Sequence, residues 1–324
     1  VRTTSDGKDL AEAARQAESL GYDSLLVSDH PTHPQLGPIA TATALACATQ
    51  NVRVGSSVVA NDFRHPVLLA KEFATLDVLS GGRAELGIGT GWKQEEYEDI
   101  GLPFDRAGRR IERLGEAIEI MRRFFAGERF DFEGEHYRIR ALEPYPPLSR
   151  PTLPIMMGGG GRKFLTLAAQ KADIIGINPA ARSGAHDTST DADAKEERTD
   201  EKVTWIREAA GDRLGEIELA MQVYAGKVTD DRAAGDRALQ ERYPFPIEEA
   251  RRVPYAWVGS VDSICEAIEE RRERWGISYW VVMAEGMEEM APVVERLSGR
   301  CGAGLRRALR AVRLRRVPDR RRVC

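Results

Sequence analysis

Residues 52–92 read VRVGSSVVANDFRHPVLLAKEFATLDVLSGGRAELGIGTGW. Two short apolar runs in this stretch, residues 52–58 and 83–88, are predicted to be strands. Residues 66–79 lie between them and are predicted to form a helix, because proline suits the first helical turn. A helix between two strands is typical of a parallel β-α-β unit. The stretch therefore predicts an α/β fold built on a parallel sheet.

The same alternation of strand and helix continues on both sides of this stretch. Further strands are predicted at residues 23–28, 155–157, 173–177, 217–223 and 277–283. Helices are predicted around them, at residues 10–20, 38–49, 111–125, 162–171, 200–210, 231–252 and 261–275. A hairpin through residues 130–139 is predicted as an insertion. These strands nearly complete a (β/α)8 TIM barrel, and residues 1–4 are expected to be the end of a truncated first strand.

Charge and composition divide the chain into a body and a tail. Residues 301–324 carry a net charge of +8, so, with a total of −4, residues 1–300 carry −12. The arginine-rich tail is expected to be disordered, and the acidic body argues against nucleic-acid binding. Residues 1–300 are predicted to form the barrel as one domain. Within it, residues 180–200 are predicted to be a mobile surface insertion, because they hold almost no apolar side chains.

Several other classes of protein are disfavoured by the sequence. No window approaches 18 consecutive apolar residues and the N-terminus has no signal-peptide pattern, so we predict no membrane segment and a cytoplasmic location. No CxxC spacing, which would indicate a zinc site or a disulfide framework, occurs among the cysteines: Cys47, Cys265, Cys301 and Cys324. No trio of His, Asp and Glu has metal-ligand spacing, so no metal is predicted.

Polar and glycine-rich residues follow four of the predicted strands, where functional groups of a barrel lie. They are Asp29–His30, residues 57–62, residues 89–92 and residues 158–161. His30 follows a strand directly and its ordinary pKa lies near neutrality, so it is a candidate general acid or base. A structural histidine at the barrel rim is the alternative. Of the other histidines, His33 and His65 are expected at the barrel mouth, and His136 and His186 in solvated insertions.

A phosphate is predicted to bind at four consecutive glycines: Gly158, Gly159, Gly160 and Gly161. They precede a predicted helix, and backbone N–H groups at a helix N-terminus attract anions. Arg162 or Lys163 would add positive charge, and a flexible turn is the alternative. The shorter motif at residues 87–91 lacks the third glycine of a dinucleotide fingerprint, because that position is Trp92. An open doubly wound sheet is therefore disfavoured.

Taken together, these segments resemble the bacterial-luciferase-like superfamily, and within it the oxidoreductases that depend on the deazaflavin coenzyme F420. The resemblance covers nearly all of residues 8–300. It rests on LGYDSLLVSDH (residues 20–30), residues 52–92, PIMMGGGG (residues 154–161) and ADIIGINP (residues 172–179). It implies a luciferase-like barrel and F420 as cofactor. Flavin mononucleotide (FMN) is the alternative cofactor, since enzymes of both kinds share most of these motifs.

The resemblance also implies a cofactor site and the residues that form it. They are Asp29, His30, Ser57, Val58, Thr90, Gly91, Gly158, Gly159, Gly160 and Gly161. By this resemblance the Ser57–Val58 bond is a non-prolyl cis peptide beneath the cofactor ring. Thr90 and Gly91 contact the ring or its ribityl chain, and the glycine run holds the phosphate. Asp29 and His30 lie beside the ring, and His30 is the active-site histidine.

The predicted function is F420-dependent hydride transfer to or from a small organic substrate, with His30 exchanging the accompanying proton. The sugar-phosphate dehydrogenases of this group carry a glutamate where this chain has Trp92, so their substrate is not carried over. Trp92, Phe63 and residues 180–200 are expected to shape the pocket. An FMN-dependent monooxygenase that uses oxygen and a non-catalytic flavin-binding paralogue stay open as alternatives. A homodimer is expected, and a flavin or F420 reductase would be an indirect partner only.

Overall fold

The computed structural model describes residues 2–3 and 10–298. The strands of these residues are β1 (Arg2–Thr3), β2 (Ser24–Val27), β3 (Arg53–Ser56), β4 (Val59–Ala60), β5 (Ala84–Gly89), β6 (Phe130–Glu133), β7 (Arg138–Leu142), β8 (Ile155–Gly159), β9 (Ile174–Ile177), β10 (Glu218–Gln222), β11 (Ala225–Val228), β12 (Ala256–Gly259) and β13 (Ile277–Val281). The predicted tail, residues 301–324, lies outside the described residues.

The helices of the same residues alternate with the strands. They are α1 (Leu10–Ser19), α2 (Pro38–Ala48), α3 (Pro66–Leu79), α4 (Gln94–Asp99), α5 (Ala107–Ala126), α6 (Arg162–Lys171), α7 (Thr188–Ala192), α8 (Glu196–Ala210), α9 (Arg232–Arg242), α10 (Ile247–Ala250), α11 (Val261–Trp275) and α12 (Met287–Leu297). No helix of the described part is long and apolar enough to cross a bilayer.

Eight parallel strands form the barrel sheet, in the order β1, β2, β3, β5, β8, β9, β10, β13. This arrangement confirms the predicted barrel and the position of every strand predicted from the alternation. The opening strand is β1, where Arg2 pairs with Leu26 and Thr3 with Val27. The short strand β4 continues the chain beyond β3 and pairs with β5. The predicted hairpin is the antiparallel pair of β6 and β7.

Both faces of the sheet are covered, as expected for parallel strands joined by helices. All residues of β2, β5 and β9 are buried. Inside the barrel, a small apolar cluster contains Leu26, Met156, Ile174, Ala220, Tyr279 and Val281. The helices cover the outer face with a much larger apolar core. The strands read as continuous apolar runs because neither face meets water.

A chain of polar side chains also crosses the barrel interior. The Tyr279 hydroxyl lies 2.7 Å from Ser24 Oγ and donates to Glu85 Oε1 at 3.0 Å. Glu85 Oε2 accepts from the Arg53 guanidinium at 2.8 Å. These contacts join the last barrel strand, β13, to β2, β3 and β5. Side chains therefore tie the last strand of the sheet to strands near its other end.

The segment predicted to be a surface insertion, residues 180–200, contains α7 and the start of α8. Asp187 caps α7 by accepting from the backbone N–H groups of Ser189 and Thr190. Asp193 is buried and forms an ion pair at 2.6 Å with Lys202, whose side chain is fully buried. The prediction of a mobile insertion rested on the scarcity of apolar side chains. It missed this packing because polar groups make the buried contacts.

Candidate active site

A cavity of about 370 Å³ opens where the barrel strands end. Its size is in the range of small-molecule sites. All the predicted cofactor-site residues line it: Asp29, His30, Ser57, Val58, Thr90, Gly91, Gly158, Gly159, Gly160 and Gly161. Trp92 and Phe63, which were expected to shape the pocket, line it too. The fold thus brings residues from four separate segments to one place.

His30 lies in the wall of this cavity, with 15% of its side chain exposed. Its Nδ1 atom is 2.7 Å from Oε1 of Glu96, which the sequence analysis did not identify. Its ring stacks on His33 with a centroid separation of 4.7 Å, and Trp92 meets it edge-on at 6.3 Å. The ring is therefore held by a hydrogen bond and by aromatic contacts on two sides.

Glu96 belongs to α4, and only 4% of its side chain is exposed. Burial raises the pKa of this carboxyl above its ordinary value, and the charges of His33 and Lys93 oppose the rise. Glu96 Oε1 also lies 3.6 Å from His33 Nε2, which is 3.0 Å from Lys93 Nζ. The Glu96 carboxylate is thus at the centre of a small group of titratable side chains.

The side chains of His30, His33 and Glu96 have the mutual distances of metal ligands, since one atom of each lies within 4.8 Å of the others. Sequence spacing missed this cluster because Glu96 follows His30 by 66 positions. The ammonium group of Lys93 contacts one of the three groups, and a positive charge there opposes cation binding. The arrangement is better suited to sharing protons than to holding a metal ion.

Asp29 is adjacent to His30 in sequence, but its carboxylate has different partners. It forms an ion pair with Arg64 and accepts a hydrogen bond from the Ala60 backbone N–H at 3.1 Å. The side chain is almost fully buried. Asp29 therefore fixes the loop after β4, which forms one wall of the cavity.

The floor of the cavity is built around Val58. The peptide bond between Ser57 and Val58 is cis, as the resemblance implied. A Cβ atom added at Gly89 or Gly158 would lie 3.0 Å from a methyl group of Val58. Glycine on the two strands beside it leaves room for this side chain. The floor is therefore one apolar side chain flanked by bare backbone.

The glycine run 158–161 leads into α6. Gly161 occupies the N-cap position without a side-chain cap, and a Cβ atom there would meet nothing within 4 Å. A Cβ atom at Gly160 would instead overlap the carbonyl oxygen of Asn178. The uncapped N-terminus of this ten-residue helix faces open space and suits an anion.

The two cations that were expected to assist this anion site are engaged elsewhere. Lys163 forms an ion pair with Glu112 at 2.7 Å, and Arg162 lies 3.8 Å from Glu208. All four side chains are largely exposed. The backbone of the glycine run, rather than these side chains, is the main feature that suits an anion.

A tight turn at Thr90 and Gly91 forms the opposite edge of the cavity. Gly91 has a φ of +75°, which favours glycine. Its carbonyl oxygen accepts from Arg110, and the Tyr97 hydroxyl donates to the carbonyl oxygen of Thr90 at 3.0 Å. Helices α4 and α5 therefore hold this turn in place.

The remaining wall is formed by residues 180–200, which were expected to shape the pocket, and by α9, which the sequence did not indicate as part of it. The Arg242 guanidinium pairs with Asp191 at 3.2 Å and lies over the ring of Tyr224. Arg182 and His186 line the same wall. These residues belong to no recognisable sequence motif. Their proximity depends on how α7 and α9 meet over the barrel.

Two of the histidines, His65 and His136, differ from their expected positions. His65 does not line the described cavity, and instead caps α3 by accepting from the Val67 backbone N–H at 3.3 Å. His186 was expected to be solvated, and it is exposed but lines the cavity. His136 is only partly exposed, and its Nε2 atom is buried. Sequence position alone does not distinguish a loop at the cavity from one elsewhere.

Comparison with known proteins agrees with this architecture. The family model described as luciferase-like monooxygenase matches residues 1–279. The chain belongs to this family. A Nakamurella multipartita protein named F420-dependent glucose-6-phosphate dehydrogenase is 31% identical, over 83% of this chain and 79% of its own length. A protein of the same name from Mycolicibacterium smegmatis is 28% identical, over 87% of this chain and 89% of its own length.

Solved structures share the luciferase-like barrel at lower sequence identity. The coenzyme F420-dependent tetrahydromethanopterin reductase of Methanopyrus kandleri superposes with a TM-score of 0.72 and 19% identity, covering 92% of this chain and 96% of its own. A long-chain alkane monooxygenase superposes equally well, with a TM-score of 0.72 and 15% identity, over 91% and 84% of the two chains. Both kinds of luciferase-like enzyme therefore share this fold.

Proposed function

We propose that this protein is a coenzyme F420-dependent oxidoreductase that transfers a hydride between the deazaflavin and a small organic substrate. The observation that carries the proposal is that one cavity joins His30 to the cis peptide Ser57–Val58 and to the glycine run 158–161. The relatives named as F420-dependent dehydrogenases support the same cofactor. The cofactor supplies the hydride chemistry when bound, and the protein supplies binding, orientation and electrostatics.

The shape of the cavity fits a flat ring that carries a phosphate-bearing chain. Val58 provides an apolar floor, and glycine at positions 89 and 158 keeps neighbouring strands clear of it. The uncapped N-terminus of α6 suits the phosphate. In the proposed complex Ser57 and Val58 support the ring, and the backbone of Gly158, Gly159, Gly160 and Gly161 holds the phosphate. Thr90 and Gly91 border the ring edge or the ribityl chain.

His30 is the proposed acid–base group. Its Nδ1 atom is engaged by Glu96, so Nε2 is the atom that we assign to proton exchange with the substrate. In substrate oxidation Nε2 accepts the hydroxyl proton, and in substrate reduction it returns a proton to the carbonyl oxygen. Asp29 has a supporting role through the loop that it fixes.

The substrate of the relatives is not part of this proposal. Trp92 borders His30 with 41% of its surface exposed. An indole at this position offers an apolar surface and one N–H donor, in contrast to the acid–base chemistry of a carboxylate. We therefore propose the reaction and the cofactor, with a small organic molecule as the substrate.

The proposal is tested by titrating the apoprotein with F420 and, separately, with FMN, following the fluorescence of each ring. We expect tighter binding of F420. A deazaflavin riboside without phosphate serves as the control ligand, and we expect it to bind at least about tenfold more weakly, since it lacks the charged group for α6.

The outcomes separate the three functions left open by the sequence. Preferential FMN binding together with oxygen consumption would replace the proposal with a monooxygenase. F420 binding without turnover on a panel of alcohols and carbonyl compounds would favour a non-catalytic flavin-binding protein. F420 reduction by a member of the panel in the absence of oxygen would support the proposed oxidoreductase.

We also propose a homodimer, and the cytoplasmic location stays a prediction from the sequence. Leu68 and Leu79 are 61% and 58% exposed on α3. They are separated by three helical turns and so share one face of the helix. Sedimentation analysis of the wild type and of a Leu68→Lys variant tests this: loss of a dimer in the variant supports the assignment of the face, and a wild-type monomer contradicts the dimer.

A further inference from the structure

We propose that Glu96 is a positioning residue for the reaction: its carboxylate orients the His30 ring through Nδ1 and stabilises the imidazolium that forms when Nε2 takes a proton. The inference rests on the proposed function, in which His30 exchanges the substrate proton. Nothing in the sequence pattern pairs these residues, which meet only in the folded chain.

The position of Glu96 is fixed by its own short helix. Tyr97, its neighbour in α4, is buried between Phe63 and Phe104, each with a ring centroid 5.0 Å away. The Tyr97 hydroxyl also donates to the carbonyl oxygen of Thr90. A carboxylate carried on a helix anchored in this way does not move far from His30. Such anchoring is what an orienting group requires.

The contact itself has the geometry of a strong hydrogen bond. The separation of 2.7 Å between His30 Nδ1 and Glu96 Oε1 is typical of a charge-assisted pair. Because both side chains are shielded from water, the negative charge of Glu96 acts on the ring with little screening. The Nδ1 hydrogen bond also fixes the orientation of the ring, and Nε2 is the atom assigned to proton exchange in the proposed function.

Burial and the neighbouring basic groups act on the pKa of Glu96 in opposite directions. Burial has the largest effect and raises this pKa above its ordinary value, Asp29 and Glu95 act in the same direction, and His33 and Lys93 oppose the rise. Asp29 is itself paired with Arg64. The cluster therefore holds two histidines and one ammonium group around a single buried carboxylate.

The proton and electron balance of substrate oxidation shows where Glu96 acts. The substrate C–H bond breaks and its electron pair leaves as hydride to the deazaflavin. The substrate O–H bond breaks, its proton passes to His30 Nε2, and the C–O bond becomes a carbonyl. His30 is then a cation beside the Glu96 carboxylate. In the reverse reaction the same proton returns to the alkoxide oxygen.

The first test needs no cofactor. In apoprotein labelled with ¹³C at histidine, the NMR titration of His30 should show a pKa about one unit lower in the Glu96→Gln variant than in the wild type, because the amide keeps the size but not the charge. The matched control is Glu95→Gln, which removes an exposed carboxylate from the neighbouring position. We expect that control to move the His30 pKa by less than about 0.3 units.

The second test uses the enzyme with F420. In Glu96→Gln the maximum rate should fall about 10- to 100-fold, and its pH profile should shift to lower pH with His30. The F420 dissociation constant should stay within about threefold. In Glu96→Asp, which keeps the charge on a shorter side chain, we expect more of the His30 pKa to be retained than in the Gln variant.

The outcomes distinguish this inference from the proposed function. An unchanged His30 pKa in a folded Glu96→Gln variant would overturn the inference, whatever the cofactor. A lowered pKa without any F420 turnover in the wild type would overturn the proposed function and leave only an ion pair. A lowered pKa with an unaltered rate and pH profile would show that the pair is structural and would reject the positioning role.

Discussion

The carboxylate of Asp29 forms an ion pair with the guanidinium of Arg64, on the loop that follows β4. Its neighbour His30 instead contacts Glu96. Adjacent side chains thus hold different walls of the same cavity. This divergence follows from the end of a strand, where successive side chains point to opposite sides.

The Asp29→Asn variant should be less stable than the wild type by about 1–3 kcal/mol, because the nearly isosteric amide keeps the Ala60 contact but loses the ion pair with Arg64. Urea unfolding measures the difference. A double-mutant cycle with Arg64→Gln provides the control, since the two losses should be non-additive. Strict additivity would show that the pair contributes no coupling energy.

Replacing His30 by alanine should lower F420-dependent turnover by about 10²- to 10⁴-fold, the usual contribution of a general acid or base. The affinity for F420 should change by less than about threefold, because the proposed binding groups lie on other segments. Steady-state kinetics and fluorescence titration measure the two effects separately. Full turnover in the His30→Ala variant would require another acid–base group.

Two neighbouring glycines should respond differently to alanine. Gly160→Ala places a methyl group against the carbonyl oxygen of Asn178, so we expect a loss of about 1–3 kcal/mol in stability and weaker binding of F420. Gly161→Ala enters open space with a φ of −85°, which alanine adopts readily. It should change stability by less than about 0.5 kcal/mol.

Thermal unfolding and cofactor titration of both variants test this contrast. If Gly160→Ala is as stable as Gly161→Ala and binds F420 as tightly as the wild type does, then the close approach between Gly160 and Asn178 has no role in the site.

Stability should depend on pH through Glu218, whose pKa burial raises above 4.5. Since the folded pKa lies above the unfolded one, its stabilising effect is fully present below about pH 4.5 and is lost as pH rises through the folded value. The Glu218→Gln variant has no carboxyl to ionise at this position, so it does not lose stability in this way as pH rises. The stability difference should therefore shift in favour of the variant as pH rises toward 7.

Urea unfolding of the wild type and Glu218→Gln at several pH values measures that shift. Glu218 accepts a hydrogen bond from Ser278 at 3.0 Å, and the amide oxygen of glutamine can keep it. A difference that is constant with pH, or that moves in favour of the wild type, would contradict the inferred effect of burial on Glu218.

The barrel could be predicted because each of its helices and strands is marked by features of its own short stretch of sequence. Residues 66–79 and 261–275 form helices with the predicted bounds, since proline and serine mark their starts and apolar side chains recur at helical spacing. The short helix α4 and the pair of strands β11 and β12 were missed. Six residues with one aromatic side chain give no helical period, and each of the paired strands has only four residues, one of them glycine.

The alternation of barrel strands and helices, the barrel, the family and the four strand ends that meet at the cavity could all be inferred from the sequence. Each of these features has a signal in residues that are close together in the sequence, such as apolar periodicity, a proline or a run of glycine. Strand ends of one parallel barrel must share one face, so their convergence also followed from the pattern.

Which side chains touch could be seen only in the folded chain. Glu96 meets His30 across 66 positions, Asp29 turns to Arg64, and Arg242 reaches the cavity from a helix that follows the seventh barrel strand. Local preferences do not encode such pairs. They depend on distances between elements set by packing, and in the low-dielectric interior a contact of less than 3 Å decides how a titratable group behaves.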